Sequence, residues 1–263
     1  MLTKVPELSE LHRQVICRCI LDGELIVIKE GKPDFFEIQR RSVTSNDFKI
    51  HLQASKLPAS YIAFDVLYYN DHETNYLTLT ERKKILDGLI QENERFSVSR
   101  YIEQNGIAFY KLAAEQGLEG IVAKRKDSKY YFDKRTKDWI KIKNLLDEDF
   151  VVCGYIQKEN NVISVVLGQY HNEKLIYKGH VTLGVSTDDF CIMVSQKKQD
   201  NSPFIELPTG NEEAVWIEPT LVCTVKFMMK TESGSMRQPI FKGLRFDKLA
   251  FECVINTTSL KKQ

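Results

Sequence analysis

The sequence predicts a protein of the α+β class built in two domains, the second of them a small β-barrel. Three observations carry that expectation. A chain of 263 residues is long for a single hydrophobic core. The first half mixes helical and strand periodicities. After Asn144 the pattern changes to short apolar runs separated by turn residues, with one helical stretch among them. The boundary is placed near Leu145, which gives domains 1–145 and 146–263. No low-complexity segment or internal repeat is visible.

Hydrophobic residues make up 43% of the chain and charged residues 28%. That is the make-up of an ordinary soluble protein, and it excludes a disordered or membrane-embedded class. No apolar run reaches the length of a membrane span, and the opening MLTKVPELSE lacks the apolar core of a signal peptide. Six cysteines (Cys17, Cys19, Cys153, Cys191, Cys223 and Cys253) are scattered without a CxxC pair. This argues against a zinc site or a disulfide framework, fits a reducing cytoplasm, and makes the thiols small core residues.

Leu8, Leu11 and Val15 recur at helical spacing after Pro6, so the chain is expected to open with an amphipathic helix. CRCILDGELIVIKEGKPDF then reads as a strand ending in a Glu-Gly turn. Asp22 and Glu24 interrupt its apolar run, and carboxylates buried there need a cation, a metal or a salt bridge to a neighbouring strand. Glu24 is therefore a candidate ligand. Phe35 to Thr44 reads as a short helix. Tyr61 to Tyr69, YIAFDVLYY, reads as a strand with Ile62, Phe64, Val66 and Tyr68 on one face and Asp65 on the other. Taken alone, Phe64 is simply a core aromatic. Thr78 and Glu81 form a capping box for a helix whose stripe is Ile85, Leu86, Leu89 and Ile90. Another helix carries Phe109, Leu112 and Ala113 and ends at the C-cap Gly117.

Glu119 to Asn144, EGIVAKRKDSKYYFDKRTKDWIKIKN, is the most informative stretch. As a strand, its end puts Trp139, Lys141 and Lys143 on one face, while Ile140 and Ile142 point the other way to anchor it in a core. Lysines presented in this way suit a polyanion such as ATP or nucleic acid, although a charged, solvated hairpin is the simpler reading of this stretch alone. The net charge of +1 points to no partner. Between Lys124 and Lys143, however, nine basic residues stand against three acids, a local +6 that leaves about −5 elsewhere. Tyr130, Tyr131, Phe132 and Trp139 are interleaved with these charges, as on a surface that tracks a phosphate backbone.

Beyond Asn144, LLDEDFVVCGYIQ, VISVVLGQY and KLIYKGHVTLG read as strands, with turns at Glu159-Asn160-Asn161 and His171-Asn172-Glu173. A helix is expected near Thr187 to Lys198, and further strands around Trp216 and from Val222 to Met228. About five short strands and one helix suggest a barrel of the OB type.

Taken together, LDGELIVIKEGKPDF, YIAFDVLYY, EGIVAKR, DWIKIKN and the pair WIEPTLVCTVKF and IFKGLRFDK resemble, in order, the motifs of ATP-dependent DNA ligases. The ligase module of bacterial non-homologous end-joining is especially similar. The resemblance covers nearly the whole chain and implies a nucleotidyltransferase (adenylation) domain followed by an OB-fold domain. It implies that adenine stacks on Phe64, that Glu24 and Glu119 help hold Mg2+ or Mn2+ and the ribose, and that Lys141 and Lys143 contact the AMP phosphate. Arg245, Asp247 and Lys248 match the family's terminal R-x-D-K, which closes over ATP and orients the departing pyrophosphate. The implied partners are ATP, nicked or broken double-stranded DNA and other end-joining proteins, with no membrane.

One departure stands at the centre of the family's chemistry. The family attacks ATP with the lysine of a Lys-x-Asp-Gly motif, and none occurs in these 263 residues. Lys84-Ile85-Leu86-Asp87-Gly88 is one residue too long and lies on an expected helix, and Lys4 precedes Val5-Pro6. The expectation is a truncated adenylation domain, the C-terminal portion of a ligase, whose nucleophile comes from an upstream segment or a second polypeptide. The alternatives are a non-catalytic DNA-binding module or inactive ligase remnant, and another branch of the superfamily, an RNA ligase or mRNA capping enzyme. The GKPDF and FKGLRFDK contexts favour DNA ligase.

Overall fold

A computed structural model describes residues 2–158, 162–231 and 234–255. The chain divides into two compact units, Met1–Ile142 and Lys143–Gln263. Each has hydrophobic clusters of its own.

In the first unit the expected opening helix is replaced by three 3₁₀ turns, Leu2–Lys4, Pro6–Leu8 and Leu11–Gln14. The apolar spacing still buries Leu8, but Val15 is extended and bridges Ile90, while Ile16 N–H donates to the Leu89 carbonyl. That strand-like pairing competes with continuation of a helix. Next come β1 (Cys19–Lys29), β2 (Lys32–Pro33), α1 (Phe35–Val43), α2 (Asp47–Lys56), β3 (Ala59–Tyr69) and β4 (His72–Glu73). The unit continues with α3 (Leu79–Leu89), β5 (Phe96–Val98), α4 (Gly106–Glu115), β6 (Gly120–Lys124) and β7 (Trp139–Lys143). The Glu30-Gly31 turn has positive φ at both residues, as a tight hairpin requires. Asp34 and Asn46 cap α1 and α2, and Thr78 and Glu81 close the expected capping box on α3. At φ +70, Gly117 gives α4 a left-handed stop, with Leu118 N–H returning to the Ala113 carbonyl.

A five-stranded sheet runs in the order β2-β1-β3-β4, with β5 parallel to β3. The β1–β3 ladder is antiparallel and carries two register shifts, at Ile20/Leu21 and at Asp22/Gly23. These break the alternation expected for YIAFDVLYY. Val66 leaves the face of Phe64 and joins Ala63, Leu86, Leu89, Phe96 and Val98 in the core, and Asp65 is also buried. At Gly23 a Cβ would lie 2.5 Å from the Tyr61 ring and 2.6 Å from the Ile62 carbonyl oxygen, so the crossing needs glycine. β6 and β7 form a separate two-stranded sheet. Ile140 and Ile142 are therefore not core anchors. They are 54% and 40% exposed, because among the described residues this ribbon pairs with no third strand.

The second unit contains β8 (Leu146–Gln157), β9 (Ile163–His171), β10 (Lys174–Val181), α5 (Thr187–Val194), β11 (Lys198–Gln199), β12 (Val215–Ile217), β13 (Val222–Phe227) and β14 (Ile240–Arg245). The order β10-β9-β8 continues through β13 to β14. A parallel bridge between Leu183, just beyond β10, and Ile240 of β14 then closes the circle. Five strands closed in this order, with a helix after the third, make the OB-type barrel. Its interior holds Phe150, Val152, Val165, Leu167, Val225, Phe227 and Phe241, with Met193 of α5 packed against them. Asn172 and Glu173 take positive φ in the expected hairpin turn, whereas the expected turn at Glu159-Asn160-Asn161 lies outside the described residues. All six cysteines are free. Cys153, Cys223 and Cys253 are buried, but Cys191 is exposed on α5 and is no core residue. Among the described residues, no helix is long and apolar enough to cross a membrane.

Gly23→Val should lower stability by about 1–3 kcal/mol, because the new methyl groups meet a ring and a carbonyl that cannot both retreat. Thermal melts followed by circular dichroism would check it, at about 2–4 °C per kcal/mol for a chain of this size. An unchanged melting temperature would contradict the packing at this crossing.

Candidate functional site

The site in the first unit is built on the second register shift between β1 and β3. Asp22 pairs with Asp65 and Gly23 with Ala63, so Phe64 has no cross-strand partner. A bulge of this kind re-aims the side chain it carries. Lys124, at the end of β6, places its ammonium over the Phe64 ring, 4.8 Å from the centroid, and over the Trp139 ring of β7 at 3.6 Å. Three sequence stretches, YIAFDVLYY, EGIVAKR and DWIKIKN, thus meet at one amine. Burial pushes Lys124 down to about 8. The negative charges of Asp65 and Asp22 resist that shift, and Lys83 and Arg82 reinforce it. Lys83 is itself pushed down by burial and lies 5.3 Å from the Tyr101 ring centroid.

Beneath this cluster is a buried ion pair. Asp65 is 1% exposed and Arg82 0%. Arg82 donates Nε to Oδ1 at 2.7 Å and Nη2 to Oδ2 at 3.0 Å, the two-pronged geometry that a guanidinium and a carboxylate share. Its Nη1 donates to the carbonyls of Leu77 at 2.6 Å and Ser128 at 3.1 Å. Ser128 in turn accepts Trp139 Nε1–H at its Oγ, at 3.0 Å. Tyr130 donates its hydroxyl to Asp22 at 2.7 Å and sets its ring edge-on to Trp139. Burial and the bond to Asp22 both raise the Tyr130 hydroxyl pKa.

The sequence-predicted residues fare differently. Phe64 enters the cluster just described. Glu24 is not buried in its strand but exposed, so the half-buried acid of β1 is Asp22, satisfied by Tyr130. Glu119, Lys141 and Lys143 are exposed as well, and Lys143 donates to the Gln238 side chain at 2.7 Å. Among the described residues, no group of three or more His, Cys, Asp or Glu side chains is placed to hold a metal ion. Mg2+ usually takes one or two protein carboxylates and completes its shell with water and substrate phosphates, and exposed Glu24 and Glu119 are donors of that chemical kind. In the second unit, Arg245 and Lys248 both donate to Asp149, and Arg245 also grips Asp247. Those bonds raise the pKa of both cations. Burial works against the Asp149 carboxylate, but bonds from Lys248 and Thr224 outweigh it and hold Asp149 below its usual range.

Sequence reasoning missed Arg82, Lys124 and Asp149. For Arg82 a signal existed: it lies three residues after Leu79 and four before Leu86, on the buried stripe of α3. An arginine there needs a buried acid, and Asp65 was the acid available in the neighbouring strand.

Residues 2–143 match the family described as ATP dependent DNA ligase domain, and residues 158–248 the one described as ATP dependent DNA ligase C terminal region. The chain is similar to the SPbeta prophage-derived DNA ligase-like protein LigB of Bacillus subtilis, with 30% identity covering 92% of this chain and 81% of that protein. It is also similar to the multifunctional non-homologous end joining protein LigD of Pseudomonas aeruginosa, with 31% identity over 89% of this chain. It spans only 28% of the length of that protein. A solved structure of a Lig E DNA ligase shares the fold, with a TM-score of 0.54 at 16% identity, covering 86% of this chain and 76% of that one.

Two outcomes are expected from the buried groups. Arg82→Ala should cost about 3–5 kcal/mol in urea unfolding, since it strands Asp65 without a cation, while Asp65→Leu combined with Arg82→Met should cost less than the single change. Equal losses would mean that the pair is not coupled. Lys124 has a folded pKa below its unfolded one, so between about pH 8 and 10.5 the unfolded chain binds more protons and stability should rise with pH. Lys124→Met should flatten that rise, and a melt series over this window checks it.

Proposed function

This chain belongs to the ATP-dependent DNA ligase family, and from that premise we propose that it takes part in sealing breaks in double-stranded DNA through an adenylylated intermediate. The observation that carries the reading is the meeting of three motif stretches at Lys124, which gathers Phe64, Trp139 and the β6–β7 ribbon in one place. In this proposal the adenine of ATP stacks on Phe64, whose ring is set off the core by the bulge. Lys141 and Lys143 aim their ammonium groups at the phosphate that becomes AMP, and Arg245 and Lys248 orient the departing pyrophosphate. Glu24 and Glu119 offer hard oxygen ligands to Mg2+ or Mn2+ and contact the ribose. The metal would neutralise charge on the phosphate oxygens.

The nucleophile is proposed to come from outside these 263 residues, whether from the same polypeptide or another, because the sequence holds no Lys-x-Asp-Gly. Its amine attacks the α-phosphorus, the bond to the bridging oxygen breaks, and pyrophosphate leaves. The exposed Val122, Ile140 and Ile142 on β6 and β7 support a further segment covering this ribbon. A role in end joining rests on the name of the Pseudomonas relative, and recruitment by other repair proteins is part of the same proposal.

The test is reconstitution. Purified chain is mixed with a polypeptide carrying a Lys-x-Asp-Gly segment, α-labelled ATP and Mg2+. A protein–AMP adduct on that lysine and sealing of nicked DNA are expected. Lys141→Ala should slow adduct formation by about 10²–10³-fold, equivalent to about 2.7–4 kcal/mol of barrier. An adduct on the chain alone would show that the nucleophile lies within it, and failure of every mixture would sink the ligase reading.

A second reading has an observation of its own. Lys129, Lys134, Arg135 and Lys137 are exposed beside exposed Tyr131 and Phe132, which is the make-up of a DNA-backbone surface. A binding module without catalysis would show steeply salt-dependent DNA affinity that is indifferent to changes at Glu24 and Glu119. If those two substitutions abolish sealing in the reconstituted mixture but leave DNA affinity intact, the catalytic reading stands.

A further inference from the structure

Arg245 and Lys248 lie 96 and 99 residues from Asp149 in the chain, yet both donate to the same oxygen, Oδ2, at 2.8 Å each. Its other oxygen, Oδ1, accepts the Thr224 hydroxyl at 2.7 Å. Asp149 stands on β8 directly opposite Thr224 of β13, and β14, the next strand over, delivers Arg245. Arg245 is gripped from a second side by Asp247, through Nε at 3.0 Å and Nη2 at 2.6 Å. These bonds use three of the five guanidinium N–H groups and one of the three on Lys248, so two donors remain on each half-exposed cation.

We propose that Asp149 is the positioning residue of an oxyanion site, holding Arg245 and Lys248 at one point so that their remaining donors act together on the pyrophosphate part of a nucleoside triphosphate. The proposal rests on the ligase reading above. Two cations this close would repel and diverge, and each belongs to a long side chain with many rotamers. The carboxylate between them cancels the repulsion and settles their rotamers during folding, before any anion arrives. Asp149 also subtracts a unit of charge from the field an anion meets. The cations that meet the anion are 37% and 27% exposed, so solvent weakens that repulsion, whereas the ordering of two side chains is not screened. Positioning therefore outweighs competition. Asp149 touches no reacting atom and works through the two cations.

The experiment uses the full chain and inorganic pyrophosphate with Mg2+, measured by isothermal titration. In parallel, the Lys248 amine is titrated by NMR on lysine-labelled protein. Asp149→Asn keeps the shape of the side chain and an acceptor for Thr224, and melting curves confirm that it folds. It should weaken pyrophosphate binding about tenfold and lower the titration midpoint of Lys248, and Asp149→Glu should recover part of both. A purely structural role would leave pyrophosphate affinity unchanged in an Asp149→Asn protein that folds. Tighter or equal binding by Asp149→Asn would overturn the proposal and make the carboxylate a competitor, and no binding by the parent chain would overturn it as well. If binding depends on Asp149 but reconstituted adenylylation fails, the ligase reading falls and the oxyanion site stands.

Discussion

The buried pair of Asp65 and Arg82 is the constraint on which the first unit depends. Desolvating two charges costs several kcal/mol per ion, so such a pair survives only when every donor and acceptor is placed. Here the guanidinium spends its donors on β3 through Asp65, on the segment before α3 through the Leu77 carbonyl, and on the loop after β6 through the Ser128 carbonyl. That loop also carries the acceptor of the Trp139 indole. One arginine therefore fixes the sheet, a helix and the β6–β7 ribbon relative to one another within this unit. Ile140 and Ile142 face solvent, and the ribbon and its loop are tied down by polar and cation–ring contacts as well, among them Tyr130 to Asp22 and Lys124 over Phe64. With these isoleucines outside the core, polar geometry does much to set its position.

The same economy explains Phe64. A regular ladder would have put Phe64 and Val66 on one face, leaving the ring as one more core residue. The register shift at Asp22/Gly23 sends Val66 inward and leaves Phe64 without a cross-strand partner. Gly23 is what permits the shift, because any side chain there collides with Tyr61 and the Ile62 carbonyl. The ring so released finds the Lys124 ammonium rather than an aliphatic neighbour. An amine between two aromatic faces keeps some electrostatic compensation, yet burial still favours the neutral form.

Much of this was legible in the sequence, for identifiable reasons. The order of the motifs, the capping box at Thr78 and Glu81, the stop at Gly117 and the short strands of the barrel are local patterns, and local patterns are what a sequence displays. The failures share a different character. Leu8, Leu11 and Val15 have helical spacing, but the pairing of Val15 with Ile90 across the fold decided their conformation. Ile140 and Ile142 alternate as a buried strand should, and nothing in their own neighbourhood says that the ribbon stands apart. Asp149 was hidden inside Asp147-Glu148-Asp149, where three acids look alike until β13 and β14 are laid beside one of them.

The two charge clusters also differ in a way that decides what each can do. Asp65 and Arg82 are closed to water, and opening the pair strands a charge at a cost of about 3–5 kcal/mol, so it behaves as fixed architecture. Asp149, Arg245 and Lys248 are partly open to solvent, where an ion pair is typically worth about 1 kcal/mol or less. A phosphate oxygen can be taken up there by the donors that Asp149 and Asp247 leave unused on Arg245 and Lys248, so an anion binds without the carboxylate being displaced. The buried pair can hold a site in shape but cannot respond to a ligand. The half-exposed cluster can respond, because Asp149 fixes two cations that stay partly exposed and keep donors unused.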